Sequence, residues 1–173
     1  HYARQFSIEE YTEQFKAWIN KYLLTANAED ITTVLVTEEM SQEKVNSLID
    51  LAKKILEDSN LHLKLALVQE RAVNFWEVLQ QIKFFYIKQN NVDWNIKQLA
   101  KIQGKLPEIK TKIHDLLSTL DEESAKWTQE TWEAGMRKIA DETGIKAGDV
   151  FMVLRVAVVG GPFSPPLLES LQL

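Results

Sequence analysis

Apolar residues recur every three or four positions through most of the chain, the period of helices that bury one face. Ile8, Tyr11, Phe15, Trp18, Ile19 and Tyr22 form the first such stripe. Ser7-Ile8-Glu9-Glu10 opens it as a capping box, in which the Ser hydroxyl accepts from the amide three residues on and Glu10 reaches back. That face is core material rather than a cofactor box. Residues 25–37 are less regular. Within them 31–36 reads either as a short strand or as part of a helix, with Thr37 or Ser41 capping the next one. Val45, Leu48, Ile49, Ala52, Ile55 and Leu56 make the second stripe, and Asp58-Ser59-Asn60 ends it with turn chemistry. One long helix is predicted over 61–87, with Leu65, Val68, Ala72, Phe75, Leu79, Ile82 and Tyr86 on a single face.

Asn90-Asn91-Val92-Asp93 breaks that pattern and marks the expected boundary between a first unit, 1–90, and a second, 91–173. Beyond it run Leu106, Ile109, Ile113, Leu116, Leu117 and Leu120, with Pro107 near a helix start, where its missing amide costs little. Asp121-Glu122-Glu123-Ser124 is read as opening the next helix, which carries Trp132, Met136, Ile139 and Ala140. Gly144 suits the position just past its end. A last helix is expected over about 149–159. The chain has no internal repeat. The expected architecture is all-α, a helical cage of two packed subdomains meeting near 90–94.

Composition narrows the class without naming a function. At 173 residues with 45% apolar and 26% charged residues, the chain has ample material for a globular core. Its longest apolar run, 150–159, is interrupted by Arg155 and falls well short of the roughly 20 residues that span a bilayer. No membrane partner is expected. The start does not read as a signal peptide, and the absence of Cys leaves redox chemistry silent on compartment. A cytoplasmic or organelle-matrix domain is the simplest expectation. The net charge of −5 argues against a nonspecific nucleic-acid binder. Its distribution is uneven, however, because residues 83–114 hold seven lysines against two acids. These are Lys83, Lys88, Lys97, Lys101, Lys105, Lys110 and Lys112, interleaved with Phe84, Phe85, Tyr86 and Trp94. Two readings stand: a patch that meets phosphates, or a solvated helical face. Phe84 and Phe85 themselves read as core.

No catalytic constellation is present in the sequence. His1, His62 and His114 are far apart and have no second ligand at metal spacing. Gly160-Gly161 is not followed by the Lys-Ser/Thr of a phosphate loop. The pairs Glu9/Glu10 and Glu122/Glu123 are read as helix starts, where the macrodipole favours acids. No cofactor or metal is expected in this chain.

The most informative stretch is the last, Phe151-Met-Val-Leu-Arg155-Val-Ala-Val-Val-Gly160-Gly-Pro-Phe-Ser-Pro-Pro-Leu167. A lone guanidinium sits in an apolar helix, followed at once by a stiff Gly/Pro loop. Upstream stand His1-Tyr2-Ala3-Arg4; Ala66-Leu67-Val68-Gln69-Glu70-Arg71 followed by Phe75-Trp76-Glu77; Phe84-Phe85-Tyr86; and the segment from Trp132 to Gly148. In this order the elements resemble the C-terminal anticodon-binding region of bacterial-type glutamyl-tRNA synthetases, over nearly the whole chain. The resemblance implies binding of the tRNA-Glu anticodon stem-loop, with the catalytic domain of the same synthetase as the other partner. There glutamate is activated with ATP and Mg. The activation motifs His-Ile-Gly-His and Lys-Met-Ser-Lys-Ser are not in this sequence, so this chain alone is expected to bind and not to catalyse. The chain is thus expected to be an isolated or trimmed anticodon-binding portion.

Carried over by position, Arg71 matches an arginine that recognises the third anticodon base, and Arg155 matches the arginine of the Leu-Arg motif. Ser164, Pro165 and Leu167 match the small-Pro-x-Leu loop that packs on splayed bases. Lys83, Lys88, Lys97 and Lys101 are expected along the tRNA backbone. Two departures stand out: Val159-Gly160 replaces Thr-Gly, and Pro166 replaces a small residue before Leu167, stiffening the loop. Bland readings stay open beside these. Arg155 either meets RNA or caps carbonyls at the end of a buried helix with Gly160 as C-cap, and Arg71 either reads a base or snorkels at the surface. The alternatives to anticodon reading are a noncatalytic helical protein–protein module and an anticodon-type domain borrowed by another tRNA-handling protein.

Overall fold

The computed structural model describes residues 5–25, 41–87, 97, 99–123 and 127–173, with side chains of 120–123 left aside. Every regular element among the described residues is helical, as the apolar periodicity requires. The candidate strand at 31–36 and the break at 90–94 lie outside the described residues. Two compact units divide the chain, one of residues 1–88 with Leu173 and one of residues 89–172.

In the first unit α1 (Ile8–Ile19) begins at the capping box read from the sequence. The Glu10 amide donates to Ser7 Oγ at 3.2 Å, and the Ser7 amide donates to Glu10 Oε2 at 3.0 Å. The helix widens into a π-helical turn, Asn20–Leu24, which the Thr25 amide closes onto the Asn20 carbonyl. α2 (Gln42–Leu56) starts at Ser41, whose hydroxyl accepts from the Lys44 amide. Tyr11, Phe15, Ile19, Leu23, Leu51, Ala52 and Ile55 from these elements share one core with residues further along.

The long helix expected over 61–87 is two short ones. α3 (Leu61–Ala66) ends in turns, and α4 (Phe75–Ile82) starts afresh before a 3-10 turn at Lys83–Phe85. The reason is a second capping interaction hidden inside the apolar stripe. Asn74 is extended, with φ −149° and ψ 168°, and its Oδ1 accepts from the Glu77 amide at 2.9 Å. Glu77 Oε2 accepts from the Val73 amide at 2.8 Å. Asn, Asp and Ser compete for backbone partners in this way, so a short polar side chain at the right offset interrupts a helix that periodicity alone would continue. Leu65, Val68, Leu79 and Ile82 still reach the same core from both pieces.

The second unit enters through a 3-10 turn, Ala100–Lys105, into α5 (Leu106–Glu123), which packs with α6 (Gln129–Thr143) and α7 (Ala147–Val159). A short α8 (Leu167–Leu171) closes over the same core, built from Leu106, Ile109, Ile113, Trp132, Met136, Ile139, Val150, Val153, Leu154, Leu167 and Leu168. The run Asp121-Glu122-Glu123 does not open a helix; it ends α5, the terminus the macrodipole disfavours for acids. α6 begins instead at Thr128, which exchanges bonds with Thr131: Thr131 amide to Thr128 Oγ1 at 3.2 Å, and Thr128 amide to Thr131 Oγ1 at 2.9 Å. A capping pair decides the start more strongly than the charge preference of a first turn. Gly144 (φ 64°) ends α6 in the left-handed conformation, and the Ile145 amide reaches back to the Ala140 carbonyl at 3.1 Å. Among the described residues no helix is long and apolar enough to cross a membrane.

Candidate nucleic-acid interface

α7 is apolar nearly all round, and Val150, Val153, Leu154 and Val156 are buried. Arg155 lies between two of these positions and is only half-buried. Its Nε donates to Ser164 Oγ at 3.1 Å, and the Ser164 hydroxyl in turn donates to the Pro165 carbonyl at 2.7 Å. Arg155 thus holds the loop after the helix rather than the carbonyls at its end, while Gly160 (φ 76°) is the C-cap, its amide bonded to the Val156 carbonyl at 2.9 Å. A left-handed residue at this point suits glycine, because a Cβ there would crowd the following carbonyl. Pro165 and Leu167 are buried, and Ser170 Oγ donates to the Pro166 carbonyl at 2.6 Å. The loop 160–166 is therefore pinned at both ends.

The outer edge of the Arg155 guanidinium is open. Nε has the one side-chain hydrogen bond recorded for it among the described residues. No fully buried polar side-chain atom lacks a partner there, so neither Nη1 nor Nη2 is both unpaired and fully buried. Their N–H groups form a fork suited to a base edge or a phosphate.

Ser164 is thus held by Arg155 in the second unit, and Pro165 and Leu167 follow it in the same loop and helix start. Arg71 belongs to the first. It sits in the turns of 67–74, with its amide bonded to the Val68 carbonyl at 2.9 Å and its side chain exposed. The preceding Gln69 is tied down, its Nε2 donating to the Phe6 carbonyl at 3.0 Å. The turn anchors the Arg71 backbone, and among the described residues no hydrogen bond or ion pair is recorded for its guanidinium.

The basic stretch separates on inspection. Lys97 and Lys101 are exposed, and Lys83 is half-buried with Nζ donating to Gln80 Oε1 at 2.8 Å. Lys88 lies outside the described residues. Lys105 donates to the Thr143 carbonyl at the end of α6, a favourable place for a cation. Lys112 pairs with Glu142 at 2.6 Å, and that contact holds the Lys112 ammonium above its ordinary range and the Glu142 carboxyl below its own. Both lysines thus already have partners within the second unit.

One charged cluster was not legible in the sequence. Asp58 Oδ2 accepts from Lys64 Nζ at 2.5 Å and from Tyr86 Oη at 2.6 Å, while Oδ1 accepts from the Asn60 amide at 2.8 Å. Lys64 Nζ also lies 4.5 Å from the Tyr86 ring centroid and 5.3 Å from that of Phe85. Burial pushes the Asp58 carboxyl up, but the bonds from Lys64, Tyr86 and Asn60 together hold it below the usual carboxylate range. The Tyr86 hydroxyl is pushed far above its ordinary range, first by burial and then by its bond to Asp58. The cluster clamps α3 to the turn after α4. Phe84 and Phe85 are half-buried, with ring centroids 4.1 Å apart, and Phe85 packs on the core. Among the described residues no group of His, Cys, Asp and Glu could hold a metal.

A helical fold carrying a clamped arginine and a stiff, apolar-backed loop acquires its class from relatives. The family model described as "Anticodon binding domain" matches residues 10–173, and the chain belongs to that family. Within it, the similar proteins are glutamate–tRNA ligases. That of Cutibacterium acnes is 28% identical over 159 residues, covering 90% of this chain and 31% of its own length. Those of Roseiflexus sp. and Rhodopseudomonas palustris are 32% and 35% identical over 110 and 105 residues, 61% and 60% of this chain. The chain spans about a third or less of the length of these relatives. It is an anticodon-binding domain homologous to the C-terminal part of such ligases. No solved structure matches it.

Proposed function

We propose that this chain reads the anticodon of tRNA-Glu for a cytoplasmic glutamate–tRNA ligase whose catalytic domain, with ATP and Mg, charges the tRNA. The carrying observation is the open fork of Arg155, clamped through Nε to Ser164 beside the buried Pro165. Unpaired RNA bases are read by stacking and by hydrogen bonds to their exposed edges. Arg155 meets a base edge or adjoining phosphate with its two terminal nitrogens, and Ser164, Pro165 and Leu167 shape the wall beside it. Arg71 takes the third anticodon base, and Lys83, Lys88, Lys97 and Lys101 attract the backbone. One good bidentate contact is worth about 1–3 kcal/mol of discrimination in groove readout, and by analogy the Arg155 contact falls in that range.

Titrating the chain with a tRNA-Glu anticodon stem-loop, against one with a changed third anticodon base, at two salt concentrations tests the reading. Tighter, salt-sensitive binding of the cognate loop is expected. Absence of binding at low salt overturns it.

A further inference from the structure

Phe163 is the most exposed aromatic side chain among the described residues, at 86%. Burying a side chain of this size is normally favourable, so its position outside the core calls for a cause. The backbone supplies one. Pro162 restricts the chain before it, and Ser164 is confined both by the following Pro165 and by its bond from Arg155. Pro165 and Leu167 are anchored in the core directly behind. Phe163 is held out by the same loop that carries the arginine clamp, and one peptide bond separates it from the residue Arg155 holds. An exposed aromatic ring one residue from the serine that Arg155 holds matches the chemistry of single-stranded RNA: a π-surface for any base and a charged donor for its edge or phosphate.

We propose that Phe163 stacks on an unpaired base of the anticodon loop, adjoining the group that Arg155 bonds. The inference rests on the anticodon-reading function argued above. Stacking requires no particular base, so Phe163 contributes affinity and holds the loop open, whereas Arg155 contributes selectivity. Phe163 faces solvent and supports no core contact, so its variants retain the fold.

The test uses the tRNA-Glu anticodon stem-loop with 2-aminopurine placed singly at each anticodon position, titrated into the wild-type chain, Phe163→Ala, Phe163→Trp and Arg155→Ala. At one position, fluorescence quenching on binding is expected with wild type and Phe163→Trp and is lost with Phe163→Ala. Phe163→Ala weakens binding about tenfold and leaves the salt slope unchanged, whereas Arg155→Ala lowers that slope. If wild type fails to bind, the anticodon reading itself falls, and this inference with it. If wild type binds and Arg155→Ala weakens it while Phe163→Ala changes neither affinity nor quenching, the stacking role alone is overturned.

Discussion

The two arginines of interest are held in opposite ways. Arg155 projects from a core helix, half-buried, with one nitrogen committed to Ser164 and two left open. Arg71 projects from a turn, exposed, with its backbone anchored and no side-chain hydrogen bond or ion pair recorded for it among the described residues. A clamped guanidinium has already lost much of its rotamer freedom, so less entropy is lost when a ligand binds it. An unheld one loses that freedom at the moment of binding. On the proposed function, the first arrangement favours affinity and the second modulates choice among loops that already bind. The clamps elsewhere differ too. The first unit has the part-buried Asp58–Lys64–Tyr86 cluster, whereas the Lys112–Glu142 pair of the second is more exposed.

The contrast makes graded demands. Arg155→Ala is expected to weaken stem-loop binding by about ten- to a hundredfold with helical circular dichroism unchanged. Loss of the helical signal would show that this arginine belongs to the core. Asp58→Asn is expected to lower stability by about 1–3 kcal/mol, because it leaves the Lys64 ammonium without its counter-charge in a site where both side chains are 14% exposed. The pH dependence follows from the lowered Asp58 pKa. A depressed carboxylate stabilises the fold fully above its unfolded-state pKa, and that contribution disappears as pH falls through the folded value. Urea melts from neutral to acid pH should show a wild-type slope below about pH 4 that the Asn variant partly lacks.

Gly160→Ala is expected to cost about 1 kcal/mol in thermal melts, since φ there is 76°. The same variant should loosen the loop and weaken RNA binding several-fold, a loss that Ala at exposed Gly148, where a Cβ meets nothing within 4 Å, should not reproduce. The smallest effect belongs to Arg71→Gln. It should change affinity for the cognate stem-loop by only a few-fold, on the order of one exposed contact, while narrowing the gap to a loop with a changed third base. A loss as large as that from Arg155→Ala would erase the distinction between the two sites.

Much of the fold was legible because it rests on local rules. The α1 capping box, the Asp58-Ser59-Asn60 turn and the left-handed Gly144 each need only a few neighbouring residues, and each is present. The predicted helix over 61–87 failed where two local rules competed, since Asn74 offered a cap inside an unbroken apolar stripe. The acidic run at 121–123 misled for a similar reason: charge suggests a helix start, but the Thr128–Thr131 exchange makes one. At the candidate site, Arg155 and the Ser164-Pro165 loop stood out as a charge and a stiff turn in an apolar setting. Phe163 had a weaker signal, an aromatic inside a Gly/Pro loop with no helical face to join.

By itself the sequence determined the all-helical class, most helix ends and the candidate chemistry of the last stretch, because periodicity, capping and turn preference act over a few residues. Tertiary structure alone decided which charges were committed and which were open. Lys105 reaches the end of α6, Lys112 reaches Glu142, and Tyr86 finds Asp58 across 28 residues. Arg155 spends only its inner nitrogen on Ser164. Those pairings depend on how helices pack, and a long flexible side chain carries no mark in the sequence of the partner that packing will bring to it.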